Sequence, residues 1–189
     1  ALYSETVTVQ LENDFLPFLY PNQYVNFTPD SKASQLALSL IDEDTVDVDA
    51  LQQIYDYVVS NLTYDYEKAD TVTTGYLPDV DETLKTGTGI CFDYAALTTA
   101  MLRSCDIPCK LQIGYAGDIK HAWIDVYIRS KGWVNQAVSF KGDTWTLMDP
   151  TFDSNSDDKE AIQDYIGDES NYTVPVSYTH LTLPTILLV

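Results

Sequence analysis

The second half of the chain is a succession of strand-like segments separated by tight turns, and this pattern constrains the fold most. Two of the turns, Ser130-Lys131-Gly132 and Lys141-Gly142-Asp143, are short and glycine-containing, as hairpins require. Consecutive hairpins pair neighbouring strands antiparallel. The strand-like segments are Lys110–Ala116, His121–Arg129, Trp133–Phe140 and Thr144–Met148.

Helical patterns precede these strands. One amphipathic stretch places Leu51, Ile54, Val58 and Leu62 on a single face, which we expect to be buried. A second helical stretch, Cys91–Arg103, is rich in alanine and leucine and follows a glycine-rich turn. Helices first and strands after predict an α+β fold, with the Cys91 helix packed on an antiparallel sheet. The intervening Tyr64–Pro78 has no clear period and is predicted to be a long loop.

Composition excludes several classes of partner. The chain has 189 residues and a formal net charge of −19. Nucleic acids and anionic lipid surfaces need clustered Lys and Arg, so neither is an expected partner. No apolar run is long enough to span a bilayer. The oligomeric state is left open.

Three residues in three short patterns suit a cysteine-nucleophile active site. Cys91 follows Gly87-Thr88-Gly89-Ile90 at a helix start, His121 opens a strand, and Asp149 ends another strand-like run. A thiol, an imidazole and a carboxylate in these settings form the parts of a Cys-His-Asp triad. Each residue alone is more often a packing residue, so it is their combination in order that indicates a site.

The glycine turn before Cys91, the His-Ala-Trp at His121 and the Trp-x-x-x-Asp-Pro-Thr that contains Asp149 resemble the transglutaminase-like superfamily. The resemblance is best over residues 51–152. It implies a core related to papain-type cysteine proteases, and thioester chemistry on the amide bonds of a peptide or protein substrate. Hydrolysis by a peptidase or amidase is favoured over cross-linking by a transglutaminase. The alternative is a non-catalytic module that binds peptide or cell-wall material.

Other residues complete the predicted site. The Cys91 backbone N–H is the expected first oxyanion donor, and Tyr64, Tyr66 or Tyr76 could supply the second through a hydroxyl. Gly89 would let a substrate backbone approach the sulfur. Trp123 is expected either to wall the substrate cleft or to pack in the strand.

Neither a metal nor a cofactor is expected. Cys105 and Cys109 form no Cys-x-x-Cys pair, which disfavours zinc and a thioredoxin-type function. The two cysteines either form a disulfide or pack as small core thiols. The acidic stretch Ile41–Asp49 is predicted to be a solvated loop rather than a calcium site.

Both ends of the chain affect its interpretation. Residues 176–185 match the translation of a sequencing-library adapter, so 176–189 is predicted to be read-through sequence and 1–175 a single domain. The chain begins at Ala1 rather than Met, so we expect an incomplete or processed N-terminus. Related bacterial proteins suggest an extracytoplasmic location.

Overall fold

The computed structural model describes residues 13–116, 119–141, 144–147 and 172–177. Within these ranges the helices come first and the main sheet follows, so the fold is α+β as predicted. The helices are α1 (Lys32–Leu40), α2 (Asp47–Asn61), α3 (Tyr66–Thr71), α4 (Val80–Thr86) and α5 (Cys91–Ser104), preceded by a 3-10 turn, Leu16–Phe18. The strands are β1 (Thr63–Tyr64), β2 (Thr88–Gly89), β3 (Cys109–Ala116), β4 (Ile119–Ile128), β5 (Gly132–Lys141), β6 (Thr144–Leu147) and β7 (Tyr172–Ser177).

The main sheet has the strand order β6-β5-β4-β3-β7, and every neighbouring pair is antiparallel. Strands β3 to β6 confirm the four predicted strands within a few residues at each end. The turn between β4 and β5 is closed by Lys131 N–H donating to the Ile128 carbonyl, and Gly132 takes a positive φ of 87° there. The edge strand β7 includes Val176 and Ser177, the first two residues of the predicted read-through segment.

Helix α5 lies at the centre of the molecule. Every residue from Asp93 to Arg103 is buried, because α1, α2 and α4 cover the helix on one side and β3, β4 and β5 on the other. A helix that is covered all round carries apolar or small side chains on every face, which explains the alanines of this segment. Its fully buried side chains share one core with the sheet residues Leu111 and Ile124.

Helix α2 confirms the predicted amphipathic helix and ties it to the sheet. Leu51, Ile54 and Val58 are buried, as its pattern indicates. The helix begins at Asp47, inside the stretch predicted as an acidic loop. The Asp47 carboxylate accepts the Arg129 backbone N–H at 2.7 Å and is also paired with the Arg129 guanidinium. This ion pair joins the start of α2 to the β4–β5 turn.

The segment 64–78, predicted to be a long loop, contains two elements. Its first residue, Tyr64, ends β1, which pairs with β2 in parallel, and α3 follows at Tyr66. The Asp65 side chain caps α3 by accepting the Lys68 backbone N–H at 2.8 Å. Elements of two and six residues are too short to show a hydrophobic period, and for that reason the prediction of a loop was wrong.

Candidate active site

Cys91 is the first residue of α5, as the sequence predicts. Its side chain is half-buried and is not part of a disulfide. The preceding residue, Ile90, occupies the N-cap position and has no side-chain acceptor to offer the first turn. The thiol therefore lies at the positive end of a 14-residue helix.

Parallel pairing of β1 and β2 fixes the chain just before Cys91. Thr63 N–H donates to the Gly87 carbonyl at 2.8 Å, and Asp65 N–H donates to the Gly89 carbonyl at 2.9 Å. Gly87 ends α4 in the left-handed region, with a φ of 64°, a conformation that favours glycine. The glycine-rich turn thus serves two backbone functions, a helix end and a strand pairing.

Asp93 is the principal site residue that the sequence analysis did not identify. Its side chain is fully buried one turn inside α5, and Oδ2 accepts the Ile90 backbone N–H at 2.8 Å. Lys68 Nζ of α3 donates to the same Oδ2 at 2.7 Å. The Tyr76 hydroxyl donates to Oδ1. The sequence does carry one signal for this role. Asp93 is the third residue of a largely apolar helix, a position that suits a carboxylate capping the helix start.

Lys68 and Tyr76 also contact each other, so the three side chains form one closed network. Lys68 Nζ donates to the Tyr76 hydroxyl oxygen at 2.6 Å and lies 4.5 Å from the centre of its ring. Burial lowers the pKa of Lys68, but its hydrogen bonds to Asp93 and Tyr76 outweigh that effect and raise it above its ordinary value. Burial, followed by the hydrogen bond to Asp93, raises the pKa of Tyr76 to about 12. At neutral pH, Lys68 is charged and Tyr76 keeps its proton.

Gly89 packs directly against this network. A Cβ added at Gly89 would lie 2.7 Å from Asp93 Cβ and 3.2 Å from Asp93 Oδ2. Real Cβ atoms do not approach a neighbour that closely, so the position requires glycine while Asp93 keeps its place. Close packing against Asp93 is therefore a function of Gly89 that the sequence did not reveal.

Three tyrosines were predicted as candidate oxyanion donors, and all lie on segments that lead to α5. Tyr64 pairs with Gly89 across the short parallel sheet, and its ring contacts that of Tyr66 with centroids 5.0 Å apart. The Tyr66 side chain is 60% exposed, beside β1. Tyr76 directs its hydroxyl proton to Asp93, and its ring meets Phe92 edge-on at 6.2 Å.

His121 lies on β4, opposite Gly114 of β3 in the antiparallel register, and β3 and β4 are two of the strands on which α5 packs. Asp149 lies outside the described residues. Trp123 is 2% exposed, which favours the packing interpretation over a cleft wall open to solvent. A second buried carboxylate, Asp125, follows on the same strand and accepts a hydrogen bond from Gln112.

Cys105 and Cys109 pack as thiols, and neither forms a disulfide in the structure. Burial raises the pKa of Cys109 to about 12 and that of Cys105 to about 11. Cys109 Sγ donates to the Thr99 hydroxyl at 3.5 Å in the interior. Both cysteines therefore stay protonated at neutral pH and are poor nucleophiles, whereas the Cys91 thiol lies at the start of a helix.

In the described part of the chain, no group of three or more His, Cys, Asp or Glu side chains is arranged to hold a metal ion. No helix within the described ranges has the length and apolar character needed to cross a membrane.

Comparison with known proteins places these features in a family. A chain named "Putative Cysteine Protease" from Cytophaga hutchinsonii is similar in structure, with a TM-score of 0.53 and 26% identity over 70% of this chain and 43% of that one. UPF0252 protein MJ1282 of Methanocaldococcus jannaschii is 36% identical over 62 residues, covering 30% of this chain and 18% of the relative. The chain thus spans less than half the length of either protein. The family model described as the Transglutaminase-like superfamily matches residues 34–150, which include α5 and most of the sheet, and the chain belongs to this superfamily.

Proposed function

We propose that the chain is a thiol-dependent enzyme that transfers the acyl group of peptide or protein amide bonds. Cys91 is the nucleophile, His121 the general base and Asp149 the residue that orients the imidazole. The observation that carries the proposal is the position of Cys91 as the half-buried first residue of a long central helix. Membership of the transglutaminase-like superfamily and the likeness to the Cytophaga protein support the same chemistry.

The position of Cys91 favours the thiolate form. The N-terminus of α5 carries a partial positive charge, which stabilises a negative sulfur. A protonated imidazole beside the sulfur would stabilise it further. Such surroundings lower a thiol pKa from its ordinary value of about 8.5. The reactive ion pair would then be populated at neutral pH.

The bond changes run in two stages. The Cys91 thiolate attacks the amide carbonyl carbon, a C–S bond forms, and the resulting tetrahedral oxyanion collapses with cleavage of the C–N bond. The leaving amine takes its proton from the His121 imidazolium. Water or an amine then attacks the thioester, gives its proton back to His121 and releases the thiolate.

The oxyanion needs hydrogen-bond donors. The Cys91 backbone N–H at the helix start is the proposed first donor. Tyr64 and Tyr66, which lie on and beside β1, and Tyr76 are the candidates for the second. Tyr76 is less suited, because its single hydroxyl proton is donated to Asp93.

The acceptor of the acyl group decides between a peptidase or amidase and a transglutaminase. We propose water as the main acceptor, and the likeness to the Cytophaga protein, which is named a "Putative Cysteine Protease", supports hydrolysis. We further propose that the enzyme acts outside the cytoplasm of a bacterium, on peptide or protein material. The Cytophaga protein supports a bacterial source for the chain.

A product analysis tests the proposal. The full chain would be incubated with casein, with and without a fluorescent primary amine, and the products identified by mass spectrometry. In the incubation without the amine, we expect hydrolysed peptides or deamidated glutamine. We also expect an acid-quenched acyl adduct on the peptide that contains Cys91. Cys91→Ala should remove both, whereas Cys105→Ala, which removes a different thiol, should remove neither.

Two results would contradict the proposal. Turnover that survives in Cys91→Ala would place the chemistry elsewhere. Equal binding of peptides by wild type and Cys91→Ala, without turnover or adduct by either, would support the alternative of a binding module.

A further inference from the structure

We propose that Lys68 is a positioning residue for the reactive cysteine, acting through Asp93: it holds the first turn of α5 in place and neutralises a carboxylate that would otherwise oppose a thiolate at Cys91. This inference rests on the proposed role of Cys91. It concerns residues outside the proposed triad and assigns a function to a network that joins α3, the α3–α4 connection and α5.

The first argument is geometric. Asp93 is fully buried, and each of its hydrogen bonds fixes the beginning of α5: one to the Ile90 backbone, one to Lys68 and one to Tyr76. The backbone of Ile90 leads directly into Cys91. A buried carboxylate with three donors has little freedom, so this network restrains the backbone that leads into Cys91.

The second argument is electrostatic. Asp93 follows Cys91 by two residues in the first turn of α5, and a buried carboxylate without a cation in that turn would raise the free energy of a thiolate there. A buried charge is tolerated only when it is paired, and Lys68 is the cation within 4 Å of Asp93 among the described residues. Lys68 keeps 29% of its side chain exposed, so it brings its charge to Asp93 from the surface.

Other titratable groups surround this turn. The Asp65 backbone N–H donates to the Gly89 carbonyl, and the Asp65 side chain caps α3. On α4, Glu82 and Lys85 form an exposed pair, and Asp81 binds the start of α1 instead. On β4, His121 is the titratable group that the proposed mechanism uses as its general base. Among the described residues, Tyr64 of β1 and Tyr24, whose ring contacts Phe92 of α5, are further titratable neighbours.

The experiment follows alkylation of Cys91 by iodoacetamide against pH, in the full-length chain, with site assignment by mass spectrometry. Lys68→Met removes the cation and leaves Asp93 unpaired. We expect the midpoint of thiolate formation to rise by roughly one pH unit, which makes alkylation roughly tenfold slower below the midpoint. Lys68→Arg keeps the charge and should retain a midpoint close to that of wild type.

A substitution of Asp93, the partner of Lys68, separates the effect of charge on the midpoint from the effect of packing. Asp93→Asn removes the negative charge but keeps an oxygen that can accept from Ile90, so the midpoint should fall below that of wild type. The double variant Lys68→Met/Asp93→Asn should return towards wild type. If the role of the network were purely structural, the midpoint would instead shift in the same direction in both single variants.

The outcomes distinguish this inference from the proposed function. An unshifted midpoint in Lys68→Met, or shifts of the same sign in both single variants, would overturn the inference even if wild-type Cys91 is reactive. Opposite shifts around an ordinary thiol midpoint would support the inference while contradicting the proposed function. If Lys68→Met does not fold by circular dichroism, a midpoint in Asp93→Asn that does not fall overturns the inference by itself.

Discussion

At the residue scale, the site is organised around Asp93, a buried carboxylate that accepts hydrogen bonds from the Ile90 backbone, Lys68 and Tyr76 in the first turn of α5. The sequence predicted correctly that Cys91 opens a helix, because a glycine turn before an alanine-rich stretch is a local signal. It could not predict that Lys68 pairs with Asp93, because 25 residues separate them and no local pattern connects α3 to α5. Contacts of this kind depend on the tertiary fold.

Gly89 provides a direct test of how tightly this carboxylate is held. The methyl group in Gly89→Ala would lie 2.7 Å from Asp93 Cβ. The hydrogen bonds of the Asp93 side chain oppose the shift that would relieve this contact. We expect the free energy of unfolding to fall by about 1–3 kcal/mol. Urea unfolding would measure the change, with Thr88→Ala, on the exposed neighbouring residue, as the matched control. Equal stability of the two variants would show that Asp93 moves freely.

At the element scale, the longer helices and strands were predictable, and the short ones were not. Strands β3 to β6 and helix α2 have enough residues for their period to be visible. Helix α3 has six residues and follows a two-residue strand, so its sequence appeared aperiodic. This helix nevertheless supplies Lys68, which shows that a short element can be decisive for a site.

The Asp47–Arg129 ion pair between α2 and the β4–β5 turn predicts an acid-dependent part of stability. Burial raises the pKa of Asp47, but the hydrogen bonds and charge of Arg129 outweigh it and hold the pKa below its ordinary value of 3.8. The pair therefore stabilises the fold above that value, and its contribution is lost as pH falls through the lower folded pKa.

We expect Asp47→Asn to lower the free energy of unfolding by about 1 kcal/mol at neutral pH, a modest value because the Arg129 side chain is largely exposed. The difference from wild type should narrow as the pH falls below 3.8, through the lowered pKa of Asp47. Urea unfolding at several pH values would measure it, with the exposed Asp44→Asn as control. A difference that stays constant with pH would contradict the assigned role of the charge.

At the scale of the whole molecule, one buried arginine joins segments that are far apart in the sequence. Arg103, near the end of α5, donates through Nε and Nη2 to the Cys109 carbonyl at 3.1 and 2.7 Å, and through Nη1 to the Tyr20 carbonyl at 2.6 Å. Burial lowers its pKa to about 10, but the group stays charged at neutral pH. No pattern in the sequence indicates this role, since the arginine lies at the end of an apolar stretch.

Arg103→Lys should be destabilising although it conserves the charge. An ammonium cannot reproduce the planar fork that reaches two carbonyl groups, so at least one buried acceptor is left unpaired. We expect a loss of roughly 2 kcal/mol in the free energy of unfolding. Urea unfolding would detect it, and Lys131→Met at an exposed position would serve as control. Retention of wild-type stability would mean that one of these hydrogen bonds is dispensable.

The proposed catalysis depends on a reactive ion pair between Cys91 and His121. The most direct measurement is the alkylation rate of Cys91 from about pH 5 to about pH 10 in wild type and in His121→Ala. Cys105 and Cys109 serve as internal controls, because burial raises their pKa values to about 11 and about 12. We predict a thiolate that persists well below about pH 7 in wild type and reverts to an ordinary thiol in His121→Ala. An ordinary thiol titration in wild type, unchanged by the substitution, would contradict the proposed catalysis.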